Sequence, residues 1–152
     1  MPPPFPSWSP DALGHDGLSA LLDNANRFSR AAASPDGLPP LLRGKRLALL
    51  SSDHTSPEAL AFQKAATELG AHVALVRADA ASGPRSLAAL LGQLYDAIEC
   101  QGVDDAALRA LDREAGVPVF NNIGSAAHPL YAMAGAADPH RLLQALLCRA
   151  LS

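Results

Sequence analysis

Four hydroxyl side chains, Ser51, Ser52, Thr55 and Ser56, fall between an apolar run and an amphipathic one. That spacing suits the capture of a small anion. Lys45 to Ser51 is a short apolar run bounded by Gly44 and a polar cluster, as a buried strand would be. From Pro57 the residues Leu60, Ala61, Ala65 and Leu69 recur at helical spacing, and Gly70 stops the pattern. A strand that feeds a helix N-terminus leaves unpaired N–H groups and the positive end of the helix dipole facing the loop. The same stretch holds a competing signal. Thr55-x-x-Glu58 reads as a capping box with Pro57 in the first turn, and a carboxylate there would repel a dianion.

The elements that position this turn form a repeating pattern. Leu18, Leu21, Leu22, Ala25 and Phe28 predict a helix over 18–33, closed by Ser34-Pro35-Asp36-Gly37. Strands are expected at 45–51, 72–76, 97–100 and 117–121. Helices are expected from 57, over 86–94, from Asp104 to 115, over 129–136 and over 139–151. Strands that alternate with helices imply an α/β domain, a four-stranded parallel sheet covered by helices on both faces. Ligands in such folds sit beyond the carboxyl ends of the strands, where the strand order reverses. The loops 51–56, 101–104 and 121–128 are expected there, and with them a weakly charged polar set: Ser51, Ser52, Thr55, Ser56, Gln101, Asn122 and His128.

Composition narrows the function classes. With 12 basic and 15 acidic residues spread along 152, the chain has no electrostatic footprint for nucleic acid. No run of 18 apolar residues predicts a membrane span, and MPPPFPSWSP has none of the features of a signal peptide, so a cytoplasmic location is expected. Residues 1–10 hold five prolines and predict an extended tail, placed at 1–16 ahead of a single domain at 17–152. Cys100 and Cys148 fit no zinc or redox spacing and are expected to be reduced and at least partly buried. Cys100, near the end of a strand, is a remote candidate nucleophile. The five histidines show no metal-binding spacing, and neither a metal nor a cofactor is expected.

The chain resembles the amino-terminal, carbamoyl-phosphate-binding domain of the aspartate and ornithine transcarbamylases. Leu42-Arg43-Gly44-Lys45, Phe62, Ala65-Ala66, Leu69-Gly70 and His72 match that family's "LKGK-x-LA … SFE-x-AA-x-x-LGGH" in register. Downstream, Tyr95-Asp96-Ala97-Ile98 is similar to its "DAI" strand, Val117-Pro118-Val119-Phe120-Asn121 to "VPVINA", and His128-Pro129 to His-Pro-x-Gln. The departures fall on charge. Thr55-Ser56-Pro57-Glu58-Ala59 stands where the family reads Ser-Thr-Arg-Thr-Arg, Gln101 where a further arginine follows the "DAI" strand, and Tyr131 on the glutamine.

The resemblance implies a site formed by Ser52, Thr55, Ser56, Gln101 and His128, with His128 as a carbonyl polariser. It implies a trimer in which the loop 77–87 of a neighbour completes each site, leaving Arg85 as the cation for that task. Asp53, His54 and His128 are the one group it would bring near an edge as metal ligands. Loss of three arginines should weaken dianion binding by roughly 1.5–3 kcal/mol each. The expected function is a transcarbamylase-like domain without catalysis of its own, acting as a binding, regulatory or assembly subunit. It would form a homotrimer or join a full-length transcarbamylase. Two alternatives stand: a small-molecule site of altered specificity, or a residual carbamoyltransferase component working with a partner chain. The family's second, amino-acid-binding domain is expected to be absent. The helix at 139–151 is expected either to pack on the domain or to form a subunit interface.

Overall fold

The computed structural model describes residues 10–133, 135 and 137–151, with the side chains of residues 10–12 and of Arg85 outside that description. Residues 1–9 of the expected tail also lie outside it. The chain opens as α1 (Pro10–Ala33), followed by β1 (Arg46–Ser51), α2 (Pro57–Glu68) and β2 (His72–Arg77). A single 3-10 turn over Ala78–Ser82 leads into α3 (Arg85–Leu94), β3 (Ala97–Cys100), α4 (Asp105–Ala115) and β4 (Val119–Asn121). The helices α5 (Pro129–Met133) and α6 (Pro139–Leu151) complete it.

The four strands are parallel, in the order β2-β1-β3-β4. Every residue of β1 after Arg46 is buried, which explains why its sequence is an unbroken apolar run rather than an alternation. Its side chains divide between two cores. Leu47 and Leu49 join α1, α2 and α6 on one face, with Phe62 and Phe120. Ala48 and Leu50 join α3 and α4 on the other, with Ile98, Leu108, Leu111 and Val119. The result is the three-layer α/β domain that the alternating pattern predicts. The two helical layers differ in how they close. On the second face Gly92 of α3 lies so near α4 that a β-carbon there would stand 1.7 Å from the Ala115 carbonyl oxygen.

Helix α6 is held within this domain. Leu142, Leu143, Gln144, Ala145, Leu146 and Leu147 are buried against α1 and α2. Gln144 Nε2 donates to the Ala65 carbonyl at 3.2 Å, and Arg141 pairs with Glu68. The apolar face of α6 is therefore taken up internally, along Leu142 to Leu147 at least. Among the described residues no helix is long and apolar enough to cross a membrane.

Three boundaries differ from expectation by two residues or more, among them the end of α5, at Met133 where 136 is expected. Helix begins at Pro10 instead of Leu18, so the stretch 10–16 is not extended tail. Proline is well suited to a first helical turn, and Gly14, at φ 73° and ψ 177°, breaks the regular helix, so α1 is two helical pieces joined at a kink. The last strand keeps only Val119–Asn121 of the expected 117–121.

Candidate functional site

The turn after β1 is built by its own side chains. Ser51 Oγ accepts from the Asp53 amide and donates to the Asp53 carbonyl, both at 3.1 Å. Asp53 Oδ1 in turn accepts from the Thr55 hydroxyl at 2.6 Å and the Thr55 amide at 2.9 Å. Those bonds hold the Asp53 carboxyl below its ordinary range. They also draw Thr55 away from the helix. The N-cap is Ser56, whose Oγ accepts from the Ala59 amide at 3.2 Å, with Pro57 as the first helical residue. The expected Thr55–Glu58 capping box is corrected accordingly. Glu58 is one position too early to reach back, although it still places an acidic residue in the first turn.

Gln101 is buried at the end of β3 and reaches that same helix start. Its Nε2 donates to the Glu58 carbonyl at 3.1 Å and to Glu99 Oε2 at 3.2 Å. Both neighbours are acceptors, which fixes the orientation of the amide. Gly124 closes the gap from the other side: a β-carbon on it would lie 2.3 Å from the Glu58 carbonyl oxygen and 2.9 Å from Gln101 Nε2. The position that resembles an arginine of the family thus carries a neutral side chain, spent on tying α2 to β3.

Glu99 is the residue that sequence reasoning missed. It is fully buried on β3 and its carboxylate accepts from the amides of Ile123 at 3.2 Å and Gly124 at 2.9 Å. Burial pushes its carboxyl up to about 7 against the opposing pull of those amides and of Gln101. The signal was available: Ala97-Ile98-Glu99-Cys100 places a glutamate inside an otherwise apolar strand. Tyr131 packs beside it, donates to the Ile123 carbonyl, and has its phenol raised by burial and by the Glu99 charge. Gln101 Oε1 and Asn122 Oδ1 are buried without a hydrogen-bond partner among the described residues. Asn122 also adopts a left-handed φ of 64°.

His128 is buried, and its Nδ1 accepts from the Leu130 amide at 3.2 Å. A neutral ring with Nδ1 as acceptor carries its proton on Nε2, and burial lowers the pKa to favour that neutral form. Such a tautomer can donate to a carbonyl. Ser52, by contrast, lines a cavity of about 330 Å³ together with Ser51, His54, Arg77, Ala78 and Asp79, on the β2 side of β1. Arg85 begins α3, and its side chain lies outside the described residues.

Cys100 is buried, with its thiol raised by desolvation and by the Glu99 charge, which argues against the candidate nucleophile. The Asp53, His54 and His128 grouping does not form a metal set. His54 Nε2 donates to the carbonyls of Leu49 and Val76, while His128 bonds its own loop, and no group of three metal-ligating side chains occurs among the described residues.

The comparisons agree with this geometry. The model of the family described as "Aspartate/ornithine carbamoyltransferase, carbamoyl-P binding domain" matches residues 8–138. The catabolic ornithine carbamoyltransferase of Burkholderia mallei is 37% identical over 124 residues, covering 77% of this chain and 36% of that protein. The ornithine carbamoyltransferase of Cutibacterium acnes is 34% identical over 102 residues, 64% of this chain and 30% of its own. Among solved structures, ornithine carbamoyltransferase from Pyrococcus furiosus superposes with a TM-score of 0.61 at 25% identity, covering 70% of this chain and 35% of that one. The chain spans about a third of the length of the curated relatives it matches. A match through the strand–turn–helix, both downstream motifs and the sheet they build leaves one assignment: this chain belongs to the aspartate/ornithine carbamoyltransferase family and carries its carbamoyl-phosphate-binding domain.

Proposed function

We propose that this domain does not hold carbamoyl phosphate and serves as a non-catalytic assembly or regulatory subunit in the cytoplasm, joined to copies of itself or to a full-length transcarbamylase. The observation that carries this reading is the Gln101 amide bonded to the Glu58 carbonyl. At the start of α2 a phosphate dianion would meet Pro57, Glu58 and Ala59 where the resemblance calls for guanidinium groups. Arg85, at the start of α3, is the residue we assign to contact with a neighbouring subunit.

Calorimetric titration with carbamoyl phosphate and with inorganic phosphate tests the first part. A dissociation constant weaker than about 1 mM, equivalent to about −4 kcal/mol, is expected, and tighter binding overturns it. Native mass tests the second, since a monomer that associates with no transcarbamylase would refute an assembly role. The His128 tautomer favours a second reading, a residual carbamoyltransferase component that needs a partner chain. Carbamoyl transfer that appears only on mixing with a full-length transcarbamylase, and falls with His128→Ala, would select it.

A further inference from the structure

The geometry points to a binding site for a small zwitterion, the ammonium-and-carboxylate unit of a free α-amino acid, in the cavity between the carboxyl ends of β1 and β2. This site is separate from the Gln101 region and from any question of phosphate binding there. Its lining is Ser51, Ser52, His54, Arg77, Ala78 and Asp79, and its volume of about 330 Å³ lies at the small end of metabolite pockets.

The charges decide the ligand class. Arg77 and Asp79 bring one full charge of each sign to the lining, 3.4 Å apart, with side chains 86% and 70% exposed. A pair so exposed is worth little in water, so exchanging it for a ligand's two charges loses little. A simple anion would be attracted by Arg77 and repelled by Asp79, and a simple cation the reverse. A zwitterion satisfies both: its carboxylate meets the guanidinium fork and its ammonium meets the Asp79 carboxylate.

The remaining wall is prearranged. His54 Nε2–H is shared between the Leu49 carbonyl at 3.1 Å and the Val76 carbonyl at 2.9 Å, so the ring spans the two strands that form the cavity floor. Since both partners are acceptors, Nε2 must carry the proton, which fixes the ring in place. Gln63 Nε2 donates to the His54 carbonyl at 3.0 Å and steadies the loop from α2. Ser52 adds an exposed hydroxyl.

An amide NMR titration of the full chain with glycine, the bare zwitterion, tests the assignment, with acetate and methylammonium as half-ligands. Glycine is expected to give saturable shifts at Ser52, His54 and residues 77–79, with each half-ligand at least tenfold weaker. Arg77→Gln and Asp79→Asn are each expected to weaken glycine at least tenfold. Both side chains are exposed, so neither change removes core contacts, and unaltered amide spectra elsewhere verify the fold. Three results would overturn the site: no saturable shift with glycine, acetate binding as tightly as glycine, or glycine shifts that survive both substitutions.

Discussion

The side-chain amide of Gln101 and the main-chain carbonyl of Glu58 are 3.1 Å apart, though 43 residues separate them in the chain. That bond joins the end of β3 to the first turn of α2, across the place where the strand order reverses. Gln101→Ala should therefore destabilise the fold. It leaves the Glu58 carbonyl and one Glu99 oxygen without this partner, at about 1–3 kcal/mol. A lowered urea midpoint with an unchanged slope is the expected result.

Glu99 gives the domain an unusual pH dependence. Its carboxyl sits at about 7 when folded and near 4.5 when unfolded, so the native state holds the extra proton between those values. Its contribution is greatest below about 4.5 and is lost as pH rises through 7, by up to about 3 kcal/mol. Glu68 acts in the opposite sense: burial pushes its carboxyl up, but Arg141, Gln144 and His140 together hold it below the usual value. That contribution fades only on acidification below the ordinary glutamate range. Denaturant midpoints measured from pH 4.5 to 8 should fall in the wild type and flatten in Glu99→Gln.

Ser56 and Thr55 should separate cleanly. Ser56→Ala removes the oxygen that caps α2 and is expected to cost about 1 kcal/mol. Thr55→Ala takes away an exposed bond to Asp53 and should cost less. Thermal unfolding of the two variants side by side checks the order, and equal losses would restore Thr55 as a cap.

Gly124→Ala tests how tightly the 121–128 loop is pressed on α2. The added methyl would meet the main-chain carbonyl oxygen of Glu58 at 2.3 Å and should cost about 1–3 kcal/mol. Gly135→Ala provides no such comparison, because a left-handed φ of 64° strains any side chain there.

Cys100 should resist alkylation in the folded protein, being buried with a raised thiol. Iodoacetamide labelling followed by peptide mass spectrometry is expected to modify Cys100 only after denaturation. Rapid labelling under native conditions would mean that β3 opens.

Much of the fold was legible because local signals agreed with one another. Gly44 and Pro57 bracket the apolar run of β1, Tyr95-Asp96 and Gly102 flank β3, and both strands appear within one residue of expectation. The candidate site was less legible, since it depends on contacts between segments. Thr55 reads as the cap, with Glu58 three residues on, until Asp53 is seen to take the threonine and Ser56 to bond the Ala59 amide. Gln101 reads as a loop residue open to ligand, whereas its side chain is buried by its neighbour Glu99 and by Glu58 and Gly124, which are distant in the sequence. Glu99 has no periodic signature, and only the Ile123 and Gly124 amides explain how a carboxylate is tolerated there.

The contact between α1 and α6 has a kinetic consequence. The two helices come from opposite ends of the described chain, so loop closure over nearly its whole length precedes their docking. During synthesis the sheet-facing stripe of α1, with Leu21 and Ala25, must wait for α6 to leave the ribosome before that layer is complete. The nascent domain would then be most vulnerable to aggregation on the α1 face, and its refolding should be slow for its size.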